Sequence, residues 1–315
     1  MKEYIVRKYT PEDFMLWNNF IAEAKNATFL FHRNFMEYHK DRFEDFSLLV
    51  FEDDTLKAVV PANKSATEFY SHQGLTYGGV VIDPKLKLSE FLNVFESITR
   101  FLQANNFKKV WFKALPSIYP DYFSDELLYA LFLKNAKLVR RDTLSVIDYS
   151  SPIAILPSRL KNIRKAEKFK LEVRQTTDFT DFWNEILIPT LREKHNTNPV
   201  HSLDEIKLLH SRFPDNIKQF NVYYEGKIVA GTTIFETKNV AHSQYIGSNA
   251  HRSKLASLDF LYDYLIKKYA SEKRYFDFGI SNENNGRVLN EGLSYWKESF
   301  GAQTVVQDFY ELDLI

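Results

Sequence analysis

The 315-residue chain has no cysteine. That excludes a disulfide framework, a thiolate-held metal and a cysteine nucleophile. A His-Glu-x-x-His metal motif is missing as well, and no other His, Asp and Glu spacing suggests a metal site. An excess of charge of either sign is absent: 41 Lys and Arg balance 41 Asp and Glu, and neither half is basic. A general polyanion binder carries a strong basic excess, so the balance counts against one. No stretch approaches the ~18 apolar residues of a membrane-spanning helix. The first residues carry a charge every few positions, unlike a signal peptide. Together these absences predict a soluble cytoplasmic protein. What the chain does have is apolar and aromatic mass, 44% hydrophobic and 16% aromatic. That is enough for two cores, and the length predicts about two domains.

The pattern of elements occurs twice. In the first half, residues 4–9 alternate like a strand, and 12–25 place Phe14, Trp17, Phe20 and Ile21 at helical spacing. A second helix is expected over 34–43, then a hairpin over 46–62 and a glycine-interrupted strand over 69–82. A helix over 88–104, a strand over 110–114, a helix over 125–134 and strand pairing over 138–149 complete it. The second half predicts a strand at 171–175, helices at 179–194 and 203–212, and a hairpin at 220–236. Ser202 is the expected N-cap of the second of those helices. A strand at 240–246, a helix at 255–269, a strand at 275–280, a helix at 287–300 and closing strands at 304–312 follow. The hairpins 46–62 and 220–236 correspond best.

This order predicts a mixed α/β fold, a central sheet covered by helices on both faces. It resembles the GNAT-type acyl-CoA N-acyltransferase fold. Two copies resemble the tandem-GNAT, Fem-like branch, as does the ending, where residues 275–281 lead to a helix closing on Phe300 and Gly301. A further similarity is to bacterial acyltransferase-like proteins of cell-surface glycan synthesis. The resemblance implies an N-terminal GNAT-like domain over 1–151 without a donor site, and a C-terminal one over 152–315 with one.

The resemblance also implies the reaction. An acyl group leaves a thioester for a free amine. The protein brings the reactants together, removes a proton from the ammonium and polarises the thioester carbonyl. With no cysteine, transfer is expected to be direct. In this family a backbone N–H of the third strand binds the oxyanion, which points to the stretch around Tyr245 and Ile246. On that strand His242 and Gln244 share one face. They read as an acid–base or substrate-orienting pair, or else as a surface face or a core histidine. The donor's pyrophosphate is expected at the start of the next helix. Arg252 fits the family's phosphate loop and Lys254 adds charge, but Leu255 and Ser257 stand where glycine or a small residue is expected.

Asp277 lies in an aromatic surround and is either a general base or an acceptor for loop N–H groups. Ser281 and Glu283 follow where such sites open, and Glu283 is a second base candidate. Tyr295 and Trp296 line the donor channel or the core. His201 borders the acceptor side or is a loop histidine. In the first half, three glycines and a histidine over 71–79 imply bulges or a close approach to the backbone. There His72 and Tyr77 are candidates to wall the acceptor cleft. Residues 159–170 hold six positive residues and one Glu, which reads first as a solvated helix.

The expected donor is therefore acyl-CoA, acetyl-CoA first, with no metal. The expected partner is a small-molecule amine, an amino sugar or a cell-surface precursor. The alternatives are a Fem-like transferase using aminoacyl-tRNA, and a GNAT-like binding protein without activity. The zero net charge counts against RNA.

Overall fold

The computed structural model describes residues 4–314, without the side chains of residues 194, 195, 252 and 253. The chain forms two compact units. Unit 1 is Met1–Asp142 with Asn284–Arg287 and Val306–Ile315; unit 2 is Thr143–Glu283 with Val288–Val305.

Unit 1 contains an antiparallel sheet in the order Tyr4–Lys8, Leu48–Glu52, Thr55–Val60 and Val81–Ile82. A second set runs from the strand Gln303–Asp313 through Lys109–Lys113, Glu68–Ser71 and Asn63–Ser65 to Glu44–Asp45. The pairing of Glu68–Ser71 with Lys109–Lys113 is parallel. The helix Leu88–Ala104 presents Phe91, Val94, Phe95, Ile98 and Leu102 to this core, the 3.6-residue stripe seen in the sequence. The expected strand over 69–82 splits in two, because its ends pair in different sheets. Gly78 permits the fold-back: a Cβ there would lie 1.5 Å from the Ser71 carbonyl oxygen. The expected helix over 34–43 is shorter, Arg33–Met36 followed by a 3-10 turn Glu37–His39.

Unit 2 orders its strands Glu172–Thr176, Ile217–Tyr224, Lys227–Glu236, Val240–Ser248, Tyr275–Ile280 and Lys137–Asp148, the last entering at Thr143. All neighbours are antiparallel except Val240–Ser248 with Tyr275–Ile280. The helix Ser257–Tyr269 covers one face, where Tyr262, Leu265 and Tyr269 join Phe276 and Phe278. On the other face Phe182 and Ile186 sit on Gly231 and Gly247. The helix expected over 179–194 begins as a π-turn, Phe182–Leu187, before Ile188–His195. Pro189 explains this: it has no N–H for a carbonyl one turn back, and its ring needs the wider turn. The helix expected over 287–300 is Glu291–Glu298. Asn284, Asn285 and Gly286 have positive φ and turn the chain into a short hairpin, Asn282–Glu283 with Val288–Leu289. Ser202 caps the helix Leu203–Arg212 as expected, in a capping box with Glu205.

Candidate active site

The parallel pair in unit 2 is short. Val240, Ala241 and His242 face Tyr275, Phe276 and Asp277, and the pairing ends there. Past that point both strands are distorted. Gly279 takes φ +74°, and register against the Lys137–Asp148 strand slips between Asp277 and Ile280. On the other strand, Gln244 is an extra residue between the Thr233–Tyr245 and Ile234–Ser243 pairs. A bulge of this kind releases a residue from the ladder and bends the strand. The two strands therefore part at His242 and Asp277.

That pair is bonded. His242 Nδ1 lies 2.8 Å from Asp277 Oδ2, and the side chains are 12% and 0% exposed. The other carboxylate oxygen, Oδ1, accepts the Gly279 N–H at 2.7 Å. A buried carboxylate held this way donates nothing, so it fixes the imidazole with its proton on Nδ1 and the lone pair on Nε2. Gly279 is required twice over. Its φ suits glycine, and an added Cβ would lie 3.3 Å from His242 Cε1.

A third charged group completes the arrangement. Lys297, 4% exposed, donates to the carbonyls of Gly279 at 2.9 Å and Ile280 at 2.6 Å. Burial holds its ammonium down to about 8, partly offset by the charge of Asp277. Sequence reasoning did not single this residue out. The available signal was its place on the buried side of Glu291–Glu298, beside Ser294 and Trp296.

Among the described residues of unit 2, three buried side-chain oxygens have no hydrogen-bond partner: Gln244 Oε1 on the bulge, Ser281 Oγ just past Tyr275–Ile280, and Ser257 Oγ at the start of the next helix. Such atoms are costly to bury unless something else bonds them.

The other predicted residues are placed as follows. Tyr245 Oη meets His201 Nδ1 at 2.6 Å and accepts the His201 N–H at 3.1 Å, so these two form a second buried pair. Ile246 packs on the unit 2 core. Trp296 lies in that core, its Nε1 donating to Asp259 Oδ1 at 2.9 Å, while Tyr295 is exposed. Asp259 is ion-paired with Arg159. Glu283 is exposed and accepts from Asn290 Nδ2 at 2.9 Å. Lys254 and His251 border a cavity of about 430 Å³ with Tyr224 and Lys227. The side chain of Arg252 lies outside the described residues. Leu255 is 2% exposed in the core, and Ala256 has φ 50°, so a turn of helix stands where an open glycine loop was expected. In unit 1, Tyr77 is buried with its hydroxyl on Thr28 Oγ1 at 3.0 Å, and His72 is buried beside His39. The parallel pairing in unit 1 ends at Ser71 and Phe112, one position past Tyr70 and Trp111, whose rings stack at 6.2 Å.

Residues 158–297 match the acetyltransferase (GNAT) domain family. This stretch is a GNAT-like acyltransferase domain. Solved structures with the same fold span nearly all of this chain. One is described as FemX, at 11% identity and TM-score 0.66, covering 96% of each chain. Another is L-PGS from Bacillus licheniformis, at 11% and 0.57, covering 98% of this chain and 93% of that one. A tandem GNAT protein from the clavulanic acid biosynthesis pathway has 9% identity and TM-score 0.54, with 99% of each chain covered. At these identities the likeness is one of fold. Among curated proteins none matches.

Proposed function

We propose that unit 2 moves an acyl group from acyl-CoA to an amine by direct attack where the two parallel strands part. The carrying observation is the bonded His242–Asp277 pair at the last paired position. His242 Nε2 takes a proton from the acceptor ammonium, and Asp277 stabilises the imidazolium so formed. The freed amine attacks the thioester carbonyl. The backbone released at the Gln244 bulge and the polarising charge of Lys297 oppose the developing oxyanion. The intermediate collapses with loss of the CoA thiolate, which takes up a proton. The orphan oxygens of Gln244, Ser281 and Ser257 are partners for the polar, amide-bearing arm of the donor. His201, bonded to Tyr245, borders the acceptor, and the donor sits in unit 2 alone. The resemblance supplies the acceptor class, an amino sugar or another cell-surface precursor amine.

A chain without cysteine suits a thiol assay, because every thiol released comes from CoA. Wild-type protein with acetyl-CoA and an amino-sugar panel is expected to release thiol, and His242→Ala to lower the rate about 100-fold or more. Release that is undiminished in His242→Ala would overturn the reading.

A second reading has its own observation. Leu255 fills the core where the donor's phosphates need glycine, and Asp259 places a carboxylate in the first turn of the helix that would hold them. A donor held elsewhere, an aminoacyl-tRNA, fits those features. It predicts salt-sensitive tRNA binding and no thermal shift with any acyl-CoA.

A further inference from the structure

Unit 1 contains a cavity of about 460 Å³ at the end of the Tyr4–Lys8 strand, under the turn formed by Arg33–Met36 and Glu37–His39. The volume is that of a small-molecule site. Its apolar lining includes the rings of Phe14 and Phe43 and the side chain of Met36. Its polar groups are mostly donors. The Tyr9 hydroxyl is buried and makes no hydrogen bond of full geometry, the Arg33 guanidinium lying 3.8 Å over the Tyr9 ring and bearing on the hydroxyl. His72 Nδ1 accepts the Gly74 N–H at 3.1 Å, so the ring proton sits on Nε2. Burial and nearby positive groups (His39, Lys113, Arg33) hold this imidazole down to about 3, so it stays a neutral donor at physiological pH.

Arg33 gives three of its N–H groups to Glu37, Ser47 and Asp45. A guanidinium has five, and the others lie beside Tyr9. Lys8 and Lys40 stand exposed at the rim. Against these, Glu37 and Asp45 are the acidic members, and both are engaged with Arg33.

We infer that this cavity is a second ligand site, taking a small molecule with a flat apolar body and one oxyanion, a carboxylate or a phosphate. Tyr9, His72 and the Arg33 guanidinium receive the oxyanion, and the two lysines draw it in. The site lies wholly within unit 1 and does not depend on acyl transfer in unit 2.

The test is calorimetric titration of the full chain with phenyl phosphate and, separately, benzoate. Inorganic phosphate and benzyl alcohol serve as controls. At least one of the two aryl anions is expected to bind saturably, more tightly than either control, and the arm that binds names the oxyanion. In Lys8→Ala/Lys40→Ala, two exposed positions, affinity is expected to fall about tenfold. Tyr9→Phe, which keeps the ring and removes the hydroxyl, is expected to weaken binding as well. No binding of either anion below about 10 mM, or binding unchanged in both variants, would overturn the proposal.

Discussion

At the scale of single residues, the site rests on a buried charge pattern. Asp277 is fully buried and spends both oxygens, one on His242 and one on the Gly279 N–H. Asp277→Asn keeps the shape but offers an amide N–H to the imidazole in place of an acceptor. The ring is then fixed with its proton on Nε2. Steady-state kinetics should show kcat lower by about 10²–10⁴-fold with the acceptor KM nearly unchanged. Lys297 has a different signature. Its folded-state value of about 8 lies below the ordinary 10.5, so between those values the unfolded chain binds more protons than the folded one. Stability from this group therefore rises as pH climbs from about 8 to 10.5, by on the order of 3 kcal/mol. Denaturant titrations should show that rise in the wild type and a smaller one in Lys297→Met. His242 and Asp277 are each legible as candidates in the sequence. Their pairing is not, because nothing in either strand specifies the parallel register. Lys297 escapes a sequence reading because lysines are almost always solvated.

At the scale of elements, distortions do the positioning. Gly279 lets its strand turn away and leaves room for the imidazole. Gly279→Ala would force a side chain into φ +74° and press on His242. A loss of about 1–2 kcal/mol in stability is expected, with a larger loss in kcat, read from a melt and a rate on one sample. The helix-start region makes the opposite case. Leu255→Gly restores the family's loop residue but empties a core position, so it should cost about 2–5 kcal/mol. Acyl-CoA affinity should not improve, since Asp259 remains in the first turn. The capping box at Ser202 and the stripe of Leu88–Ala104 are readable because they are local. The bulge at Gln244 is not, because pairing with a neighbouring strand decides it.

At the scale of the whole molecule, repetition was legible, and the path by which the chain completes each unit was not. Hydrophobic periodicity shows two similar runs of elements. It does not show that Val306–Ile315 belongs to unit 1. There Phe309, Tyr310, Glu311, Leu312 and Asp313 pair with Lys113, Phe112, Trp111, Val110 and Lys109. A fragment of residues 1–151 leaves that edge open and lacks Leu312 in its core. Circular dichroism should find no cooperative melt for it. Fusing residues 303–315 back through a glycine-rich linker should restore one.

The same strand sets a schedule for the newborn protein. Lys113 leaves the ribosome roughly 200 residues before its partners around Phe309, an interval of about 10–40 s at ordinary elongation rates. Through that time unit 1 offers neighbouring nascent chains a bare strand edge, the kind that templates wrong pairing. Yield in a cell should thus depend on how fast the last codons are read and on what shields the nascent chain, as well as on the stability of the finished fold.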